Sequence, residues 1–300
     1  MNYMRRNLHG SLLTHIGSWF LDQVLKKKYI YIPAVLGIII IVFDLFRFGW
    51  KFTPFTPQEY FFPSTKVITF LQSQTKPFRV MSLDDRLFPP NTSAYYGIES
   101  VEGYDPVYDA QYEEFIAALN RQKPDIAPPF GFNRIITVST INSKLLPLLN
   151  VKFILSLDDV KSPDVKLVDQ EGQTKIYTYL RALPRMYPVE SVVQANSRQQ
   201  VMDILYSPTF SASSEAVVQD TISLPRSPVI AMDKITVLSE SASGIRATSS
   251  LADDHFVVIA NSFDAHWNAF IDGVSTPIYR TDYTFQGIIV PKGNHTIVVQ

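Results

Sequence analysis

The chain has 300 residues, no cysteine, a formal net charge of −1 and a mean hydropathy of +0.04. Without cysteine there is no disulfide bond, thiolate nucleophile or zinc–thiolate site. The charge is nearly balanced, and no basic block lies beyond residue 28, so nucleic-acid binding is not expected.

An uninterrupted apolar run from Tyr29 to Phe43 dominates the N-terminal part of the chain. With the apolar residues that follow it, the run is long enough for a helix across a bilayer, and we predict a transmembrane helix over residues 29–48. Three lysines, Lys26 to Lys28, precede the run. Because positive flanks stay in the cytoplasm, the sequence predicts a single-pass protein of the cytoplasmic membrane whose C-terminal bulk is extracytoplasmic.

Two other interpretations of the run are weaker. A cleaved signal peptide would have a shorter basic region and a small-x-small cleavage site after the run. A buried core helix would not have three lysines at its edge. The preceding residues 1–28 have apolar side chains at helical spacing, which is typical of an amphipathic cytoplasmic or interfacial segment. A loop between membrane helices of a longer ancestor fits that segment equally well.

Residues 49–210 predict an extracytoplasmic α/β subdomain, because helical and strand patterns alternate there. The predicted helices are Thr65–Gln72, a helix capped by Asp105 with Pro106 in its first turn, Leu145–Leu149, and Arg198–Tyr206 after Ser197. The predicted strands are Phe78–Leu83, Val151–Leu155 and Thr174–Leu180. Lys123–Phe132 is expected to be a proline-rich loop.

Residues 211–300 have short β-branched runs separated by turn signals, so they predict an antiparallel β-sandwich subdomain. The predicted strands are Val217–Leu224, Lys234–Glu240, Gly244–Ser249, His255–Ser262, Trp267–Ile271, Thr276–Arg280, Phe285–Val290 and Thr296–Val299. Asp272-Gly273 indicates a tight hairpin turn. The fold class predicted for the whole chain is α+β, with one transmembrane helix, a small α/β layer and a C-terminal sandwich.

The sequence has no phosphate loop, nucleophile elbow or HExxH motif, and its five histidines are scattered. We therefore predict no catalytic residue, metal site or cofactor. The acidic doublets Asp84-Asp85, Asp158-Asp159 and Asp253-Asp254 are interpreted as solvated turns at strand ends.

Aromatic residues are the better candidates for ligand contact. Tyr95, Tyr96 and Tyr104 lie in one polar loop with Asp105, and rings with polar tips suit sugar faces as well as membrane interfaces. These four residues are the predicted ligand-binding residues, although the rings could instead fill a shell around the core. For Trp267, burial in a strand is favoured over sugar stacking.

A series of short segments follows in a recognisable order from Asp44-Leu45 to the C-terminal end. The segments are Tyr60-Phe61-Phe62-Pro63, Val67-Ile68-Thr69-Phe70-Leu71, Arg79-Val80, Asn91 with Tyr95-Tyr96-Gly97, Val101-Glu102-Gly103-Tyr104-Asp105-Pro106, Leu148-Leu149-Asn150-Val151-Lys152-Phe153-Ile154-Leu155-Ser156, Leu183-Pro184-Arg185, Trp267-x-Ala269-x-Ile271-Asp272-Gly273 and Val290-Pro291-x-Gly293-x-His295. In this order they resemble the C-terminal part of the YfhO family of bacterial multi-pass membrane proteins.

The resemblance implies a GT-C-type glycosyltransferase setting, in which a sugar moves from a polyprenyl-phosphate carrier to a cell-envelope polymer. The membrane helices that the family has before the segment matching Asp44 have no counterpart here, and neither does the early loop expected to hold an acidic residue. No catalytic residue is therefore carried over. We expect part of such a protein, inactive alone, whose partners are the lipid bilayer, a lipid-linked sugar and an envelope glycan.

Two alternatives stay open. The chain could be a non-enzymatic, single-pass anchored module that binds a glycan or a protein, as the lack of a catalytic constellation favours. A secreted hydrolase would need a clustered acid pair, and the sequence pattern does not reveal one.

Overall fold

The computed structural model describes residues 15–22, 31–52, 57, 60–128 and 134–300. The chain divides into two compact units, Met1–Pro63 and Ser64–Gln300. In the first unit residues 15–22 are helical, which agrees with an amphipathic helix there, and the rest of the predicted segment 1–28 lies outside the described residues.

Helix α1 (Tyr31–Phe52) contains the one stretch of the described residues, Tyr31–Lys51, that is long and apolar enough to cross a membrane. Its side chains are exposed almost throughout; Phe43, for example, is 69% exposed. A helix that is apolar all round is stable either inside a protein or inside a bilayer. The core helix of a soluble protein is mostly buried, whereas only 6% of the apolar window of α1 is buried. The helix α1 is therefore unlike such a core helix.

The second unit begins with an α/β part. Its elements are α2 (Lys66–Gln72), β1 (Arg79–Ser82), α3 (Thr92–Tyr95), β2 (Glu99–Ser100), β3 (Gly103–Tyr104), α4 (Ala110–Arg121), β4 (Ile135–Ile136), a 3-10 helix (Leu146–Leu149), β5 (Val151–Ser156), β6 (Val165–Glu171) and β7 (Thr174–Tyr179). Five strands form a mixed sheet in the order β2-β1-β5-β7-β6, and β3 and β4 form a separate pair. Strand β1 is parallel to β2 and β5, while β7 is antiparallel to both of its neighbours.

Both faces of this sheet are covered. Alternate residues of a strand point to opposite faces, so Val80 and Phe153 pack with α2 on one side. Met81 and Ile154 pack on the other side with α4 and the 3-10 helix. The α/β part is therefore three layers thick, with helices on both faces.

The predicted cap of α4 is wrong. Asp109, not Asp105, is the N-cap residue, and its side chain accepts a hydrogen bond from the backbone N–H of Tyr112 at 2.9 Å. Asp105 instead accepts one from the backbone N–H of Val107 at 2.8 Å and closes a turn ahead of the helix. An Asx turn competes for the same side-chain oxygen that a cap needs.

The remaining elements form a β-sandwich with one helix. They are β8 (Met186–Val189), β9 (Ser191–Gln194), α5 (Arg198–Tyr206), β10 (Glu215–Val218), β11 (Lys234–Ser241), β12 (Gly244–Leu251), β13 (His255–Ser262), β14 (Ala269–Ile271), β15 (Val274–Thr276), β16 (Tyr279–Thr281), β17 (Phe285–Val290) and β18 (Gly293–Val299). One sheet has the order β8-β13-β17-β16-β10-β9 and the other β11-β12-β18-β14-β15. Their facing side chains, such as Val257 and Ile297, share one core.

The predicted division at residues 210 and 211 falls inside this arrangement. Strands β8 and β9 come before it in the sequence, yet they form the two edges of the six-stranded sheet. Helix α5 connects β9 to β10, which run parallel to each other. Such a parallel connection needs a crossover, and α5 supplies it.

Two predicted strands differ in the structure. The strand predicted over Val217–Leu224 ends at Val218, and Ile222 and Leu224 instead cover the outer face of the six-stranded sheet. The strand predicted over Thr276–Arg280 is divided between β15 and β16, which belong to different sheets. Pro277 lies in the gap, where no ladder hydrogen bond is required.

Candidate ligand-binding cleft

A polar cleft of about 780 Å³ opens where the α/β part meets the sandwich. Arg79, Glu99 and Glu102 line it from the α/β side, and Asn261 and Trp267 line it from the sandwich. A second cavity of about 270 Å³ adjoins it and shares the lining residues Arg79, Ser100, Glu102 and Ser262. The volume of the larger cleft is in the range of small-molecule and oligosaccharide sites.

Two strand irregularities shape the floor of the cleft. In β1 the register shifts after Arg79, which faces Val151 whereas Val80 faces Phe153. In β13 the register shifts between Ile259 and Ser262. Bulges of this kind reorient side chains and backbone groups, and they are frequent beside functional sites.

The bulge in β13 directs acceptors at the guanidinium of Arg79. Its Nη1 donates to the carbonyl of Ala260 at 2.6 Å, and its Nη2 donates to Oδ1 of Asn261 at 3.0 Å. Nη1 also reaches the carbonyl of Leu149 at 3.2 Å. Burial and the positive charge of Arg185 lower the pKa of Arg79 to about 10, so its side chain stays charged at neutral pH.

Arg185 lies behind Arg79, and its side chain is fully buried. It donates to Oδ1 of Asn261 at 3.1 Å and forms ion pairs with Glu99 and Glu240, the second with an Nε–Oε1 distance of 3.2 Å. Oε2 of Glu99 also lies 3.4 Å from Nε of Arg79. A single carboxylate oxygen therefore bridges the two guanidinium groups, and a buried cation of this kind is stable only with such partners.

Two further carboxyl groups of the cleft hold protons more tightly than usual. Burial raises the pKa of Glu102 to about 7, although its oxygens accept hydrogen bonds from the backbone N–H groups of Ser82 and Val138. Burial also raises the pKa of Glu240, and the nearby Arg185 acts in the opposite direction. Near neutral pH the negative charge of the cleft therefore depends on pH.

The four predicted ligand-binding residues do not converge in the large cleft. Tyr95 and Tyr96 form an edge-to-face ring pair with centroids 5.3 Å apart, and Tyr96 also packs against the core beneath α2. The amide of Asn91 bonds both backbone groups of Tyr104, at 2.6 and 3.0 Å. Asp105 lines the smaller cavity. Other residues of the predicted loop, such as Ser93 and Gly97, line the large cleft instead of these tyrosines.

Trp267 corrects another expectation. It precedes β14, is half-buried rather than buried, and lines the large cleft while contacting the sandwich core. An indole in this position offers a flat apolar surface beside hydrogen-bonding groups.

The acidic doublets follow strands β1, β5 and β12, and the described histidines of the sandwich have ordinary structural partners. His9 lies outside the described residues. His255 is buried with its Nε2 3.5 Å from Oδ2 of Asp233, and His295 bonds Asp272 at 2.6 Å. A groove of about 340 Å³ beside His295 has hydroxyl and charged side chains but no Trp, Tyr or Phe in its lining. Among the described residues there is no group of three or more His, Asp or Glu side chains that could hold a metal ion.

Sequence patterns alone did not identify Arg79, Arg185, Glu99 or Glu240 as site residues. Two residues of the resembling segments, Arg79 and Glu102, nevertheless line this cleft, and a third, Arg185, is buried beside it and shares Asn261 with Arg79. An isolated Leu-Pro-Arg segment and a Glu in a loop carry no periodic signal, so only the fold could bring them together.

No protein-family model, curated protein or solved structure matches this chain. The YfhO resemblance therefore rests on the order of the short segments, and the fold stands as an α+β architecture with a candidate membrane helix near the N-terminus.

Proposed function

We propose that this protein is a membrane-anchored module that binds a glycan of the cell envelope in the cleft between its α/β part and its sandwich. The observation that carries the proposal is the lining of that cleft, which combines the indole-bearing Trp267 with residues that have carboxylate, amide and hydroxyl groups. Sugars present apolar C–H faces and a rim of hydroxyl groups, and this combination of a ring with convergent polar groups complements both.

The anchoring part of the proposal is supported by α1. Its exposed apolar side chains need a nonpolar environment, and a bilayer provides one over the length of the helix. The three lysines before the apolar run favour the membrane topology in which the chain beyond α1, with its cleft, lies outside the cytoplasm.

Binding of glycans by the full chain in detergent micelles tests this proposal. We expect a glycan array to give sugar ligands whose affinity falls about tenfold in Trp267→Ala, because ring contacts contribute about 1 kcal/mol or more. The exposed Trp19 offers the matched control, and Trp19→Ala should bind like the wild type. Binding that is absent, or insensitive to Trp267→Ala, would refute glycan recognition by the cleft.

A second candidate function is the acceptor-binding part of a YfhO-like envelope glycosyltransferase. The positions of Arg79 and Glu102 in the cleft lining, and of Arg185 on the shared partner Asn261, favour it, because all three belong to the resembling segments. On this proposal the chain alone binds acceptor glycan but transfers no sugar from a polyprenyl-phosphate donor. Transfer of radiolabelled sugar by the purified chain would contradict it.

A further inference from the structure

Glu99 is the more exposed of the two carboxylate partners of the arginine pair. Glu99 exposes 44% of its side chain, whereas Glu240 exposes 14% and Arg185 none. Glu99 also lies on β2, a two-residue strand at the edge of its sheet that pairs only with β1. Its carboxylate can therefore leave the guanidinium groups by rotation of the side chain into the open cleft.

The other ligands of the two arginines stay in place if Glu99 leaves. Arg79 keeps the carbonyl of Ala260 and the amide of Asn261, and Arg185 keeps Asn261 and Glu240. What would be lost is the one carboxylate oxygen that bridges both cations. The vacated position is that of a carboxylate between two guanidinium groups, open to the cleft on one side.

We propose that the cleft selects an acidic sugar, and that the carboxylate of a uronic acid residue replaces Glu99 on Arg79 and Arg185. This inference rests on the proposed glycan-binding function and specifies its ligand. The donors that Glu99 would release are Nε of Arg79 and Nη2 of Arg185, so the incoming carboxylate would bridge the two guanidinium groups as Glu99 does. The sugar ring attached to this carboxylate would extend into the cleft that Trp267 also lines.

The lining of the cleft has four carboxylic side chains, those of Glu99, Glu102, Glu240 and Asp264, so an added anion is compatible with it only beside the arginine pair. Lys76 also lines the cleft, and its ammonium donates to the carbonyl of Gly97. Arg79 is the cationic residue that lines both cavities. Burial raises the pKa of Glu102 to about 7 and also raises the pKa of Glu240, so burial favours the neutral form of both carboxyl groups.

The Glu99 carboxylate therefore competes with the ligand carboxylate for the two arginines, and its removal should increase the affinity for the acidic sugar. An internal competitor lowers the apparent affinity by the fraction of molecules in which the site is open. We expect Glu99→Gln to bind an oligomer of galacturonic acid about tenfold more tightly than the wild type. Its affinity for the carboxyl-reduced galactose oligomer should not change. Glu190→Gln, which alters a surface ion pair with Arg226, is the matched control and should bind both like the wild type.

The titrations use the full chain in detergent micelles, with galacturonate oligomer, its carboxyl-reduced form and a galactose 6-phosphate oligomer as probes. Tighter binding of galacturonate by Glu99→Gln supports the proposal. The proposal is overturned if the protein prefers the carboxyl-reduced oligomer, or if Glu99→Gln increases the affinity for the reduced and the acidic oligomers equally. In both cases the proposed glycan binding still stands. Preference for the phosphorylated probe over galacturonate overturns the carboxylate assignment. If no sugar binds any variant, the proposed function itself fails.

Discussion

At the scale of single residues, the most consequential side chains are those whose partners are distant in the sequence. Arg185 and Glu99 are 86 residues apart, and Arg79 and Asn261 are 182 apart. Neither the periodicity of apolar residues nor a local sequence motif can predict contacts between residues so far apart. The loop tyrosines were easier to single out because they cluster in the sequence, yet the structure uses two of them to contact each other.

Asp282 leads to a prediction about stability and pH. This residue is fully buried in the turn between β16 and β17, and its Oδ1 accepts a hydrogen bond from the backbone N–H of Val217 at 2.7 Å. Burial raises its pKa from 3.8 to about 7. The folded state therefore binds this proton more tightly than the unfolded chain, and stability falls as pH rises from about 4 to about 7.

Asp282→Asn should remove this loss of stability with rising pH. The side-chain amide keeps an oxygen that can accept the hydrogen bond from Val217, and it carries no charge. We expect the variant to match the wild type near pH 4 and to exceed its free energy of unfolding above pH 7 by an energy on the order of 4 kcal/mol, since the pKa rises from 3.8 to about 7 and each pKa unit corresponds to about 1.4 kcal/mol. Urea unfolding between these pH values measures the difference. The exposed Asp220→Asn is the control, and a parallel pH profile for wild type and Asp282→Asn would contradict the assignment.

At the scale of elements, the sequence predicted those with a clear local signal. Helix α5 begins where expected, with the Ser197 hydroxyl accepting from the backbone N–H of Gln200 at 3.1 Å. Strand β8 escaped prediction because it contains Pro188, and proline is unfavourable in most strands. It is tolerated because β8 is an edge strand. The position of an edge depends on the assembled sheet and cannot be read from eight or ten residues.

Strand β17 contains a glycine whose role depends on its neighbours. A Cβ at Gly287 would contact the ring of Phe256 and the hydroxyl of Thr281 closer than atoms can approach. Gly287→Ala should therefore destabilise the sandwich by about 1 to 3 kcal/mol through overpacking.

Thermal unfolding measures this effect, with Gly103→Ala as the control. A Cβ at Gly103 meets only the side-chain oxygen of Asn91, at 3.5 Å, which is an ordinary contact. Equal melting temperatures for Gly287→Ala and Gly103→Ala would show that the close approach of Phe256 is not a constraint.

At the scale of the whole molecule, the α+β class, the apolar helix and the two-sheet sandwich followed from composition and periodicity. The cleft did not, because it forms where the α/β part meets the sandwich. The side chains of the arginine pair and of its carboxylate partners come from β1, β2 and β11 and, for Arg185, from the position directly before β8. The sequence could therefore predict the elements that have a clear local signal, whereas the chemistry of the site required their arrangement.

The central claim is that a membrane anchor holds the cleft outside the cytoplasm, and the lack of cysteine permits a direct test. Ser243 is exposed in the turn between β11 and β12, and Ser18 is exposed in the helical residues 15–22. Ser243→Cys and Ser18→Cys each introduce a single thiol, which a membrane-impermeant maleimide can label in intact bacterial spheroplasts. The account predicts that Ser243→Cys is labelled at once and Ser18→Cys only after permeabilisation. Labelling of Ser18→Cys alone in intact spheroplasts, or recovery of the chain in the soluble fraction, would contradict it.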